Sequence, residues 1–381
     1  MGSYLNPSNE GFAKSLLSEI YVDKSDIIAY TNNVLRTEQK YVYTSCPRRF
    51  GKTMTTDMLT AYYSRGCDSK DMFANLKIAK ETSFEEHLNK YNVIFLNMQE
   101  FLNESSSIED LIEKITDKIN KDVLKEYPNF DFTYNDHLSD TFNTLFEITD
   151  IPIVFIIDEW DCVCREYQTD RQSLMVYSDF LTLLLKDRYY AALVYMTGIL
   201  PIKKFGTQSG LNMFDEFSMT WPVGLTDFAG FTQAEVISLC EKYKMDYEEM
   251  AAWYGGYCVS DMESAFNPKS VVMAILKKQF SNYWGQTETY EDLKIYIGKN
   301  IDGLKDAVIE LLSGKRKHIF INTFVNDMVT LKWWEDVLIL LAHLGYLGYD
   351  NMTNEVFIPN KEIYDEFRVA IRELGWDEIT S

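Results

Sequence analysis

The chain has 381 residues, 46% of them hydrophobic and 25% charged, enough for two or three domains with substantial cores. Its 58 acidic residues against 37 Lys and Arg leave a formal charge of −21, which repels polyphosphate backbones and argues against a sequence-independent grip on nucleic acid; Lys315-Arg316-Lys317-His318 is a local basic patch. Six cysteines are scattered along the chain, with Cys162-x-Cys164 the only close pair and no Cys/His cluster to complete a zinc site, which excludes a disulfide miniprotein and predicts reduced thiols.

Met1-Gly-Ser-Tyr-Leu-Asn6 has no charged start before an apolar core, and position six is Asn where a myristoylation signal needs Ser or Thr. No apolar run approaches membrane-spanning length, so a cytoplasmic protein without a membrane partner is expected. After Ile20-Tyr-Val-Asp-Lys24, Ser25 reads as a helix cap with Asp26 in the first turn and apolar residues at Ile27, Ile28, Tyr30, Val34 and Leu35.

Lys40-Tyr-Val-Tyr-Thr-Ser-Cys-Pro-Arg-Arg-Phe-Gly51-Lys52-Thr53 reads as a strand, a short loop and the start of a helix running from Met54 to Tyr63. Gly51-Lys52-Thr53 ends a degenerate G-x-x-x-x-G-K-[ST] loop, with Cys46 where Gly is usual and Pro47, Arg48, Arg49 and Phe50 following. In such a loop successive amides and a helix N-terminus cradle a triphosphate, Lys52 reaches the β- and γ-phosphates, and Thr53 ligates Mg²⁺. Pro47 biases Cys46 toward an extended backbone, so no left-handed strain is expected there. The residues expected around nucleotide are therefore Pro47, Arg48, Arg49, Phe50, Gly51, Lys52, Thr53 and Met54, with one arginine facing ligand and the other structural.

Asp68 to Lys80 is a polar connector anchored by Phe73 and Leu76, and Asn92 to Met98 is the next strand. Helices are expected over 108–124 and 134–148. The run Ile153-Val-Phe-Ile-Ile157 is a strand buried on both faces, ending in Asp158 and Glu159. Downstream of Gly-Lys-Thr, this pairing assigns Asp158 to the Mg²⁺ shell with Thr53, and Glu159 to the attacking water; Asp161 is a fallback acid or a helix cap. A helix over 172–188 follows, then the buried strand Ala191 to Gly198, whose Thr197 can contact the γ-phosphate if that strand lies between the loop strand and the acidic strand. Lys203 and Lys204 come next as cations that could reach the same phosphate, and Phe217 to Val223 would be a fifth strand. Strand and helix alternation implies a mainly parallel α/β sheet with helices on both faces.

From Gly230 helical periodicity takes over, with Thr232 and Glu235 forming a capping box and Pro268 opening a helix after Asn267. Trp333 to Leu344 as a helix, a hairpin around Asp350 to Asn354, and a helix from Lys361 to Leu374 make a winged-helix-like end. The domain reading is 1–228 for the ATPase core, 229–325 for a helical lid and 326–381 for the winged-helix-like part.

Pro47-Arg-Arg-Phe-Gly-Lys-Thr53, Tyr21-Val-Asp-Lys24, Thr197 to Asn212, Tyr254-Gly-Gly-Tyr257 and Phe266-Asn-Pro-Lys-Ser-Val271 together resemble the bacterial AAA-ATPase-like family, which is similar to archaeal-type P-loop ATPases. The resemblance spans nearly the whole chain and implies an ATP-binding, hydrolysing module with an additional-strand core. Family members often continue into a PD-(D/E)XK nuclease-like domain; no Asp…Glu-x-Lys pair stands near Asp377 to Ser381, which argues against nuclease activity in this chain. The reading is a Mg²⁺-dependent ATPase, regulatory or signal-transducing, with an unidentified protein partner and an open oligomeric state. The alternatives are a nucleotide-responsive scaffold with little hydrolysis, or the ATPase half of a nuclease system.

Overall fold

A computed structural model describes residues 2–132, 137–202, 210–219, 229–260, 263–286, 289–321 and 331–376. The chain divides into two compact units, one made of Met1–Thr44, Lys52–Gly198 and Ile202–Glu216, the other of Ser45–Gly51, Ile199–Pro201 and Phe217–Ser381.

A five-stranded sheet, most of it in the first unit, is made of β1 (Tyr41–Ser45), β2 (Asn92–Asn97), β3 (Ile153–Asp158), β4 (Ala191–Gly198) and β5 (Asp215–Ser218), in the order β2-β3-β4-β1-β5. β2, β3 and β4 pair in parallel, Asn97 standing beside Asp158 in the register. β4 thus lies between the loop strand and the acidic strand, as the additional-strand reading requires. Every residue of β1, β3 and β4 is buried, which explains the uninterrupted apolar runs Ile153–Ile157 and Ala191–Met196. Alternate residues such as Ile94, Phe155 and Val194 share one core with Ile115, Phe142 and Leu181, from the helices Ile108–Glu126, Leu138–Thr149 and Arg171–Leu185. The opposite set, including Val93, Val154 and Leu193, is equally buried, and the helix Lys52–Tyr63 packs on β2 and β3.

The exposed side of β2 is covered by the N-terminal segment. Leu5 bridges Ile94 antiparallel, Asn6 N–H donates to the Val93 carbonyl at 2.8 Å, and Asp122 accepts from the Tyr4 and Leu5 amides at 2.7 and 3.2 Å.

Several local expectations shift. Ser25 sits at the N-cap of Asp26–Val34 without capping it; its hydroxyl accepts from Ile78 N–H at 3.1 Å instead. The connector is anchored by Phe73 and Ile78, with Leu76 half-buried. The fifth strand begins two residues before the expected Phe217 and ends at Ser218; 220–228 lie outside the described residues. Residues 133–136, where the helix expected from 134 would begin, are also outside them, and the helix starts at Leu138.

The second unit is mostly helical, with the Thr232–Glu235 capping box formed and Pro268 opening a helix, both as expected; Asn267, read only as a turn residue, caps that helix by accepting from the Lys269 and Ser270 amides. Sequence periodicity missed a small antiparallel pair, β6 (Tyr257–Ser260) with β7 (Glu263–Ala265). Near the C-terminus, Trp334–His343, the hairpin β9 (Gly348–Asp350) with β10 (Glu355–Phe357), and Lys361–Glu373 follow in order, and β8 (Lys317–His318) adds to β10. Compactness groups this region with the helices before it; the expected boundaries at 228 and 325 both fall outside the described residues.

Candidate active site

In the first unit, Lys52 and Thr53 open the helix Lys52–Tyr63, and Asp158 ends β3. Lys52 is 8% exposed and Asp158 fully buried, whereas Thr53 is exposed. Thr53 Oγ1 donates to Asp158 Oδ2 at 3.0 Å across 105 residues of sequence. Thr197 at the end of β4 donates its hydroxyl to Asp158 Oδ1 and accepts the Glu159 backbone N–H at 3.3 Å. Thr197 therefore ties the two acids together, with its hydroxyl engaged by Asp158. A Cβ at Gly198 would lie 2.5 Å from the Tyr43 hydroxyl and 2.8 Å from Asp161 Oδ1, so a side chain there would displace one of these two buried groups.

Glu159 turns the chain with φ of 53°, and its half-buried carboxylate lies 3.7 Å from Arg165 Nη2. Arg165 Nε is 3.5 Å from the buried Asp161. Asp161 stands at the N-cap of Cys162–Glu166 without a side-chain cap bond. Arg165 is missing from the sequence-derived site; its spacing of four from Asp161 on one short helix was the available signal. Asp57 is missing as well: burial, and then the Asp158 charge, pushes its carboxyl up to about 6 against the pull of Lys14.

Within the second unit the loop residues Ser45–Gly51 have packing partners of their own. Phe50 meets Tyr257 edge-on at 5.3 Å between ring centres, Pro47 lies against Gly345, and Arg49 Nη1 donates to the carbonyls of Tyr283 and Trp284 at 3.1 and 3.0 Å. Arg49 is thus the structural arginine of the pair, and Arg48 is half-buried. Cys46 is buried and avoids positive φ, as Pro47 dictates; the loop is curled instead by Arg49 at 71° and Gly51 at 94°. The side chains of Pro47, Arg49 and Phe50 are therefore engaged within this unit. Met54 is 42% exposed in the first helical turn, and Lys203 and Lys204 lie outside the described residues.

A hydroxyl and a carboxylate meeting at 3.0 Å are hard oxygen donors of the kind Mg²⁺ takes alongside phosphate and water, so Thr53 and Asp158 fit that ion. The arrangement can place a cation and a divalent metal beside a phosphate chain, with a second carboxylate next in sequence.

Comparison with known proteins gives loose structural likenesses to the Aeropyrum pernix ORC2 protein solved with ADPNP and ADP (10% identity, 97% of this chain and 99% of that one, TM-score 0.39) and to Cdc6p from Pyrobaculum aerophilum (13%, 96% and 98%, 0.34). AMPPCP-bound DnaA from Aquifex aeolicus is similar at 11% identity, over 96% of this chain and 92% of that one, with a TM-score of 0.32. An uncharacterized protein in the vnfD 5′ region of Azotobacter chroococcum mcd 1 is 27% identical over 143 residues, 36% of this chain; the match spans about a quarter (27%) of that relative's length. The AAA-ATPase-like family model, described as "Predicted AAA-ATPase", matches residues 15–207, half of the chain, and the protein belongs to that family.

Proposed function

We propose that the chain binds ATP with Mg²⁺ and hydrolyses it as a cytoplasmic regulatory or signal-transducing module. The observation that carries this is the hydrogen bond from Thr53, beside the loop lysine, to the acid ending the buried strand β3. Lys52 would neutralise the β- and γ-phosphates, and the amides of the loop would hold the phosphate oxygens. Thr53 and Asp158 would hold the metal, which when bound offsets phosphate charge. Thr197 fixes the Asp158 carboxylate and the Glu159 backbone, leaving the Glu159 carboxylate to orient water. Nucleotide state would then be relayed to the helical part (229–325) and the winged-helix-like part (326–381), and from there to a protein partner.

Lys52→Ala is expected to abolish binding of a fluorescent ATP analogue, while Glu159→Gln should keep binding and lower phosphate release by about 100-fold or more. Retained affinity in the Lys52 variant would reject the site. A second reading, a nucleotide-responsive scaffold with little hydrolysis, is favoured by the Arg165 guanidinium standing 3.7 Å from Glu159. Phosphate release by the wild type above the Glu159→Gln background would eliminate it.

A further inference from the structure

Arg49 holds a left-handed backbone that costs a non-glycine residue about 1 kcal/mol, so something must stabilise it. Its guanidinium supplies the anchor: one nitrogen donates to two consecutive carbonyls, Tyr283 and Trp284, and the group lies 6.0 Å from the Trp284 ring centre. The N–H groups of these same two residues point to Glu362, donating to its Oε1 at 2.7 and 2.9 Å. Ser270 Oγ lies 3.0 and 2.8 Å from the two Glu362 oxygens, and Asn282 Nδ2 donates to Glu366 Oε1 at 2.5 Å. A two-residue stretch of backbone is thus gripped on its donors by a carboxylate 1% exposed, and on its acceptors by the loop arginine. All these groups belong to the second unit.

We propose that Glu362 is a positioning residue for the phosphate loop: it orients the Tyr283 and Trp284 backbone, whose carbonyls hold Arg49 and so fix the left-handed turn that curls the loop. The consequence for ATP rests on the nucleotide-site reading; the mechanical coupling does not. Glu362 lies on the helix Lys361–Glu373, 310 positions along the chain from Lys52. Through this relay a displacement of the C-terminal helix alters loop shape, and loop engagement by ligand tightens the helix in return.

The test is hydrogen–deuterium exchange on the full chain without nucleotide, followed by titration with a fluorescent ATP analogue. E362A and R49A should each raise exchange about tenfold in peptides covering both 45–51 and 281–286, whereas E362Q, which keeps an acceptor oxygen, stays within about threefold of wild type. The double variant E362A/R49A should match the worse single variant, since both cut one path. Affinity for the analogue should weaken in the same order.

The proposal is overturned if E362A loosens 281–286 but leaves 45–51 at wild-type exchange, or if the two losses multiply. Should E362A fail to fold, R49A decides: loosening at 281–286 as well as 45–51 supports the relay, and loosening of the loop alone overturns it. Coupled exchange in a wild type that binds no ATP analogue would leave the relay standing and remove the nucleotide reading.

Discussion

Glu362 carries a cost that can be measured. Burial pushes its carboxyl from 4.5 up to about 7, and repulsion from Glu366 adds to this, against the hydrogen bonds from Tyr283, Ser270 and Trp284. A carboxyl whose folded pKa is raised binds its proton more tightly when folded. Its stabilising contribution is complete below about 4.5 and is lost as pH rises through about 7, a change of about 3 kcal/mol. His343 acts in the opposite sense: burial lowers its pKa from 6.5 to about 4, so stability falls as pH drops through that window. The two slopes oppose each other between pH 4.5 and 6.5. Urea unfolding of Glu362→Gln across this range should expose the His343 slope, giving a protein more acid-sensitive than wild type; an unchanged pH profile would show that Glu362 does not titrate there.

Among elements, the strap along β2 makes the sharpest forecast. Asp122→Ala removes two charge-assisted bonds to the Tyr4 and Leu5 amides and should cost about 2 kcal/mol. Because the strap covers the side of an otherwise open strand, light scattering should also show self-association of this variant below its melting temperature. The strands β3 and β4 were legible because burial on both faces leaves an apolar run with abrupt ends; Asp158 and Thr197 could be named because each sits where such a run ends, and Thr53 because Gly51-Lys52-Thr53 opens the helix after the loop. The strap was not legible, since its bonds join residues more than 80 apart: the Tyr4 and Leu5 amides to Asp122, and the Asn6 side chain to Val93, Asn92 and Glu126. For the same reason the fate of Arg49 was open: the carbonyls it binds belong to residues 234 and 235 positions away. Ser25 misled because a serine before a helical run is equally able to turn its hydroxyl to a neighbouring segment, here Ile78.

At the scale of the whole molecule, net charge governs behaviour in solution. The basic patch is already matched, Arg316 with Asp350 at 2.8 Å and Lys317 with Glu310 at 2.6 Å, so little local field opposes the formal −21. Raising salt from about 0.01 M to about 0.15 M shortens the screening length from about 30 Å to about 8 Å and should raise the melting temperature by a few degrees. Double-stranded DNA should show no binding by fluorescence anisotropy at the higher salt; micromolar, salt-sensitive binding would revive a nucleic-acid role for the C-terminal part.

The assignment of 45–51 to the second unit has a bearing on synthesis. A ribosome delivers this loop early, yet its companions Tyr257, Trp284 and Gly345 emerge as much as about 290 residues later. At about 5–20 residues per second the nascent loop waits roughly 15–60 s before Gly345, the latest of these three, is made. Half-made chains would therefore carry the 45–51 loop without its curl fixed, and under the proposed function nucleotide capture would wait until translation is nearly finished.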